Sequence, residues 1–420
     1  MDAPQPATPP AMLAYAQDLD VLGDAAGARV WIERAAASGY APALTQHGLW
    51  LLKGRNVPND FAQGNAQISL AAQAGDATAA HLMINLHALA GDWDKAVASL
   101  VRLAKSGDAD AGVALGVLLR PLPRLTPIRR TLYSAAAQTG DAAAQFLLGT
   151  DMCTDANETT RKRGIGWIAE AAAHGLEPAM LRLQKFAGEK MIRPSAPVSD
   201  IRIPWADMKR LVLLPHEAPL PPLTPFLTSP QVDTAVGFLA RHLCDYLVMR
   251  GLRFLAPATV HDSDAGEIID PSRSNSFANF RLLEADLVTL SVDARIMKAL
   301  GHKRGHGDPL SLLQYKEDQT YAPHYDFFDP QFPAHMPHLK EAGQRAKTAL
   351  VYLNDDYESG HTRFHKADTS FRGAPGDLVA FANIGMDGNP DLQSLHSGEP
   401  PTSGIKWILS KWTREAALPL

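Results

Sequence analysis

Residues 315–328 read YKEDQTYAPHYDFF. His324-Tyr325-Asp326 closes this extended segment, and in a strand residues two apart point to one face. His324 and Asp326 therefore share a face while Tyr325 turns away. Two histidines and one carboxylate hold an iron(II) ion and leave three of its positions open, so a third ligand is expected from a distant strand. Eight of the fifteen histidines follow residue 300. Of these, His396, in Leu395-His396-Ser397-Gly398, is the candidate.

Outward from this segment the pattern is mixed. Short apolar runs at Ala349–Leu353, Asp377–Phe381 and Trp407–Trp412 are parted by loops rich in Gly, Pro and Asn, as strands are. Upstream, Glu284–Leu300 reads as a helix stopped by Gly301. Ser229 is expected to cap another helix, through Val232, Val236, Leu239, Leu243 and Leu247 at steps of three or four, with Cys244 as core beside that stripe. Helices first and strands later imply an α+β domain whose sheet carries the site. The segment Asp329–Ala342 reads as an insertion, a surface loop or a lid.

Nine prolines fall between residues 194 and 230. Proline is excluded from helix interiors and central strands, so this stretch is a connector, with one short strand expected at Arg210–Leu214. Before it the chain is rich in alanine and repeats Ala-x-x-Gly-x-x-x-Ala five times, at Gly39, Gly75, Gly107, Gly140 and Gly175. Intervals of 36, 32, 33 and 35 residues signal stacked helix–turn–helix units. Each glycine ends a helix in the left-handed conformation, and Asp76, Asp108 and Asp141 are placed to cap the next. The domains expected are 1–190 for the helical repeats, 191–225 for a proline-rich linker and 226–420 for the site-bearing domain.

The whole composition narrows the classes. The chain has 420 residues, 46% hydrophobic and 20% charged, with a formal net charge of -5. Residues 1–200 hold 18 basic and 19 acidic side chains and the remainder 22 and 26, so neither half carries the basic footprint of a nucleic-acid binder. No run of about 18 apolar residues predicts a membrane span. Two cysteines, Cys153 and Cys244, exclude a disulfide framework or a thiolate zinc site. The opening MDAPQPATPP lacks a basic region followed by an apolar stretch. A cytoplasmic protein is expected.

The repeats resemble the Sel1-like branch of the tetratricopeptide type, over about residues 10–185. The later domain resembles the prolyl 4-hydroxylase family of Fe(II)/2-oxoglutarate dioxygenases over about residues 226–415. Tyr315 stands nine residues before His324. Gly343-Gln344-Arg345-Ala346-Lys347-Thr348 enters a strand, Gly360-His361-Thr362-Arg363-Phe364 and Pro375-Gly376-Asp377 follow, and His396 precedes Lys406 by ten. Ser272-Arg273-Ser274 is similar to the family's Arg-Thr-Ser segment.

The resemblance implies a double-stranded β-helix, or jelly roll, with His324, Asp326 and His396 as catalytic iron ligands. It gives Lys406, Tyr315 and Thr348 to 2-oxoglutarate, and Arg345, Arg273 and Trp412 to the peptide substrate. Fe(II), 2-oxoglutarate and O2 are the implied requirements, with ascorbate a further candidate. The implied reaction is C4 hydroxylation of a prolyl residue in a protein or peptide, which the repeats would recruit. Two other readings stand beside it: a 2-oxoglutarate hydroxylase of another side chain or a free amino acid, and a non-enzymatic Sel1-repeat adaptor with a retired oxygenase domain. His361 and His365, four apart, also raise a second metal pair.

Overall fold

A computed structural model describes residues 6–194, 201–262 and 266–418. Eleven helices come first: α1 (Pro9–Val21), α2 (Ala25–Ala37), α3 (Ala41–Lys53), α4 (Phe61–Gln73), α5 (Ala77–Leu89), α6 (Trp93–Lys105), α7 (Ala109–Leu118), α8 (Thr126–Ala137), α9 (Ala142–Cys153), α10 (Glu158–Ala173) and α11 (Glu177–Gln184). The five repeated glycines all take φ between 78 and 95°, the region a β-carbon disfavours. Asp76, Asp108 and Asp141 accept from the amides of Ala79, Ala111 and Ala144, each cap satisfying one orphan donor of its helix. A closer contact escaped the sequence pattern. A β-carbon on Gly149 would lie 2.7 Å from the Gly164 carbonyl, and the reverse approach is equally short, so α9 and α10 touch backbone to backbone.

Compactness divides the chain inside the repeats, into residues up to Ser106 and residues 107–418. The first unit has its own core around Ile32, Trp31 and Trp50. In the second, α7–α11 fold together with everything that follows. The change of architecture lies later, after α11. We keep 1–190, 191–225 and 226–420 as a proposed division by architecture.

The connector is held in place where it is described; Pro197 and its neighbours at 195–200 lie outside the described residues. Residues Met208–Leu211 form a short helix, α12, not the expected strand. The turn closes on itself, the Arg210 and Val212 amides donating to the Asp207 and Met208 carbonyls, and beyond it the carbonyls of Pro215, Ala218 and Pro219 accept from the Arg295 guanidinium. The helix expected from Ser229 is also corrected. A hairpin of β1 (Thr224–Thr228) and β2 (Gln231–Ala235) stands there, Gly237 takes φ 62°, and helix α13 begins only at Arg241, ending at Leu252. Val236 of the supposed stripe is 81% exposed, whereas Cys244 is core as expected.

Beyond α13 come β3 (Ala256–Pro257), β4 (Val260–Asp262), β5 (Gly266–Ile268), β6 (Ser276–Phe280), α14 (Leu287–Ala299), β7 (Leu310–Tyr315) and β8 (Tyr321–His324). The insertion contains α15 (Met336–Ala342), and then follow β9 (Arg345–Tyr352), β10 (Tyr357–Ser359), β11 (Thr362–Phe364), β12 (Thr369–Phe371), β13 (Leu378–Ala382), β14 (His396–Gly398), β15 (Pro401–Gly404) and β16 (Lys406–Arg414). An eight-stranded antiparallel sheet runs β1-β2-β13-β9-β16-β7-β6-β3, and a four-stranded sheet runs β12-β11-β14-β8. This is the two-sheet barrel of a double-stranded β-helix. Leu313 and Tyr315, Leu350 and Tyr352, and Val379 and Phe381 alternate inward to form its core with Ile408 and Phe364. Leu312 faces the other way, where a β-carbon on Gly251 of α13 would meet it at 2.3 Å. Helix α13 therefore covers the outer face, and the repeats of the same unit close over that helix.

Candidate active site

Antiparallel pairing of β14 with β8 sets His396 opposite His324, their ring centroids 4.4 Å apart. The strand ends at His324, so Asp326 lies in the bend beyond it. Its carboxylate still turns inward, 3.5 Å from His324 Nε2 and 3.4 Å from His396 Nε2. Ligand atoms of all three lie within 4.8 Å of one another, and no other such group occurs among the described residues. His361 instead sits 3.6 Å from Glu399 and His365 bonds Ser397.

The surroundings put each ligand in a metal-ready state. His324 Nδ1 lies 2.7 Å from the Ala322 carbonyl and His396 Nδ1 2.9 Å from that of Ser394. A carbonyl only accepts, so each Nδ1 donates, the arrangement that in a neutral imidazole leaves the Nε2 lone pair facing the centre. Burial pushes His396 down to about 4, helped by His324. Burial alone would raise Asp326, but the two imidazoles and the Thr348 hydroxyl outweigh it and hold the carboxyl well below its usual range. Thr348 Oγ1 donates to Asp326 Oδ2 at 2.6 Å and itself receives Asn383 Nδ2 at 2.9 Å. The structure thus sets Thr348 against the carboxylate ligand. Two imidazoles and an anionic carboxylate, converging and buried, fit an iron(II) ion.

A cavity opens from these ligands toward Lys406. Sheet register sets Lys406 directly opposite Tyr315, with its ammonium 4.9 Å from the Tyr315 ring centre and 5.7 Å from that of Tyr352. Lys406 is 1% exposed and burial pulls its pKa from 10.5 down to about 7. No carboxylate pairs with it among the described residues. A buried ammonium without an anion is costly, and a dicarboxylate lodged between it and the metal ligands removes that cost. The donor set therefore fits 2-oxoglutarate.

The three residues matched to substrate separate. Arg273 and Trp412 line the cavity, and Arg273 Nε and Trp412 Nε1 are buried donors without an acceptor. Arg345 does not line it. Its guanidinium is sandwiched 4.0 Å from Trp412 and 4.6 Å from Phe328 and bonds Asp308 at 2.7 Å, so it builds the wall behind Trp412. Sequence reasoning missed Asn383 and Asp308, which reach their partners only through cross-strand pairing. It also missed Tyr321, whose ring stacks on His324 at 3.5 Å and bears the Arg273 guanidinium on it. Its place three residues before His324 was the available signal. The insertion is an ordered turn and helix, tied down by Arg414 Nη2 on the His338 carbonyl.

A two-sheet barrel with two histidines and a carboxylate at one end of a cavity and a buried lysine at the other defines a non-haem iron, 2-oxo-acid-dependent oxygenase. Residues 310–414 match the family model of the 2OG-Fe(II) oxygenase superfamily. Over 203 residues the chain is 31% identical to "Probable prolyl 4-hydroxylase 3" of Arabidopsis thaliana, spanning 44% of this chain and 69% of that one. The chain belongs to the prolyl 4-hydroxylase family, and is a dioxygenase that uses Fe(II) and 2-oxoglutarate.

"Prolyl 4-hydroxylase 1" of the same plant is 30% identical over 204 residues, covering 45% of this chain and 70% of its own. Among solved structures, a viral collagen prolyl hydroxylase from Paramecium Bursaria Chlorella virus-1 is 23% identical with a TM-score of 0.34, covering 44% of this chain and 95% of its own. A Sel1 repeat protein from Oxalobacter formigenes is 22% identical with a TM-score of 0.36, covering 48% and 87%.

Proposed function

We propose that the chain hydroxylates a prolyl residue of a protein or peptide at C4, with 2-oxoglutarate and O2 consumed and succinate and CO2 released. The observation that carries this reading is the unpaired Lys406 ammonium at the end of the cavity that begins at His324, Asp326 and His396. Those three residues would hold the iron. Lys406 and the Tyr315 hydroxyl would hold the distal carboxylate of 2-oxoglutarate, a compact ammonium suiting a buried anion. When bound, iron and 2-oxoglutarate supply the oxidising power that places one oxygen atom on a C–H bond. The chain's residues orient the groups. The Nδ1–H bonds fix both imidazoles, the Thr348 hydroxyl fixes the carboxylate, and apolar strands exclude water.

For the substrate, the supporting feature is the pair of orphan donors on Arg273 and Trp412. Peptide carbonyls satisfy them, and a prolyl residue brings a carbonyl without an N–H that would need its own acceptor. The identity with prolyl 4-hydroxylases supports the same choice. Recruitment of a protein by the repeats, whose stacked form offers an extended surface, and a reducing compartment, in keeping with two unpaired cysteines, belong to the same proposal.

The test is succinate release from 2-oxoglutarate, Fe(II) and O2 with a panel of proline-containing peptides, products read by mass spectrometry. A peptide that gains one oxygen on proline supports the reading. Oxygen gained only on free amino acids moves the substrate class. No turnover with any substrate and no anaerobic Fe(II)·2-oxoglutarate charge-transfer band would sink the oxygenase site itself.

A further inference from the structure

We propose that α11, the last helix of the repeats, is a positioning element of the 2-oxoglutarate pocket, acting on Lys406 through the loop that follows β9. The inference rests on the reading of Lys406 as the keto acid's anchor. It begins at Asn354. The Asn354 side chain donates to the Ile405 carbonyl at 2.7 Å and accepts from the Trp407 amide at 2.9 Å. Its two bonds therefore clasp the residues on either side of Lys406, and the backbone position of that lysine follows Asn354.

The next two residues, Asp355 and Asp356, are held by the repeats and also, at 3.3 and 3.9 Å, by Arg241 of α13. Lys185, at the end of α11, reaches Asp355 at 3.0 Å and Asp356 at 2.5 Å. Arg182 of α11 reaches Asp245 of α13 at 3.1 Å and Asp356 at 3.7 Å, with all three side chains largely buried. At the other end of the helix, Glu177 pairs at 3.0 Å with Lys316, the neighbour of Tyr315. The helix thus spans both loops that adjoin the pocket's two polar groups.

Between these ties a cleft of about 760 Å³ separates α11 from the loops. Charged side chains make this junction. The pairs are unequal: Lys316–Glu177 and Lys185–Asp355 are exposed and individually weak, whereas Arg182 is buried against two carboxylates, where loss of one partner tells most. The β10–β15 pairing of Tyr357 with Gly404 continues the same route, since a β-carbon on Gly360 would already crowd Lys406 Cδ at 3.2 Å.

The experiment measures 2-oxoglutarate binding by calorimetry to the Mn(II)-loaded full chain, with Mn(II) affinity measured separately. Arg182→Gln is expected to weaken 2-oxoglutarate binding by about three- to thirty-fold and to leave Mn(II) affinity unchanged. Arg182→Lys, which keeps the charge, restores part of the loss. Because Arg182→Gln puts folding at risk, Lys185→Met, a half-exposed side chain whose loss leaves the Arg241–Asp355 pair intact, is read in parallel and is expected to lose affinity in the same direction. Wild-type 2-oxoglutarate affinity in every folded variant, with Lys406→Met losing it, overturns the role of α11 alone. Wild-type affinity in Lys406→Met overturns the assignment of the pocket, and this inference with it.

Discussion

Lys406 shows how one residue ties stability to function. Burial lowers its pKa from 10.5 to about 7, so between those values the unfolded chain holds a proton that the folded chain has released. Stability from this group therefore rises with pH across that window, and below about pH 7 the full cost of the buried charge is present. Without 2-oxoglutarate, Lys406→Met is expected to melt above the wild type near pH 6, the gap narrowing toward about pH 9 as the wild-type lysine gives up its proton. Calorimetric melts at the two pH values check this; an equal gap at both would refute it. Thr348 offers a second test. Its hydroxyl holds Asp326, and partners of metal ligands are worth about ten- to a hundred-fold in affinity. Thr348→Val, which keeps the shape, should weaken Mn(II) binding by about that factor and, by leaving the buried Asn383 Nδ2 without its acceptor, should also lower the melting temperature. Metal titration followed by calorimetry reads both.

At the scale of elements, the turn that follows β8 is clasped to the start of β9. Gln344, at the entrance of β9, accepts from the Phe328 amide at 2.6 Å and donates to the Phe328 carbonyl at 2.7 Å. Gln344→Ala leaves both backbone groups buried without partners, a cost of about 1–3 kcal/mol each, and frees the chain two residues beyond Asp326. Lower melting temperature together with weaker metal binding is expected; a drop in stability alone would show that the clasp serves the fold and not the ligand. Elements with local signals were legible in the sequence. The five repeat glycines, the aspartate caps and the helix stopped by Gly301, observed as Leu287–Ala299, all follow from side chains acting within a few residues. Strand pairing is not local. Val232 was read into a helix because spacing alone cannot distinguish a helical stripe from a strand buried between β1 and β13. The site divided likewise: His324, Asp326, His396 and Lys406 were carried by motif spacing, whereas Asn383 became part of the site only through β13–β9 register. Arg345 matched its motif and yet points into a wall, because Asp308 and two aromatic rings compete for its charge.

At the scale of the molecule, architecture and compactness disagree, and the disagreement is testable. Residues 107–418 form one unit, within which Arg253 of the barrel side bonds Asp110 at 2.8 Å and Asp141 at 3.0 Å. Tyr246 and Met249 of α13 face Val113 and Leu147 across a small cavity, and Val248, Leu353 and Trp407 face Phe146 and Leu181 across another. Cutting the chain at the change of architecture uncovers the five on the barrel side, Tyr246, Val248, Met249, Leu353 and Trp407. At roughly 1.5–3 kcal/mol for each fully buried apolar side chain, the loss approaches about 10 kcal/mol, the size of a typical domain's whole stability. It also bares Trp407, the neighbour of Lys406. A chain of residues 107–418 keeps every one of these contacts. It is therefore expected to be monodisperse, to melt cooperatively and to bind 2-oxoglutarate with Mn(II), whereas residues 191–418 should aggregate or melt without a transition. Gel filtration, thermal melts and calorimetry on the two fragments decide the matter. A well-folded 191–418 fragment with full 2-oxoglutarate affinity would mean that the repeats are a detachable recruiting arm; the opposite result makes their second half a structural part of the oxygenase.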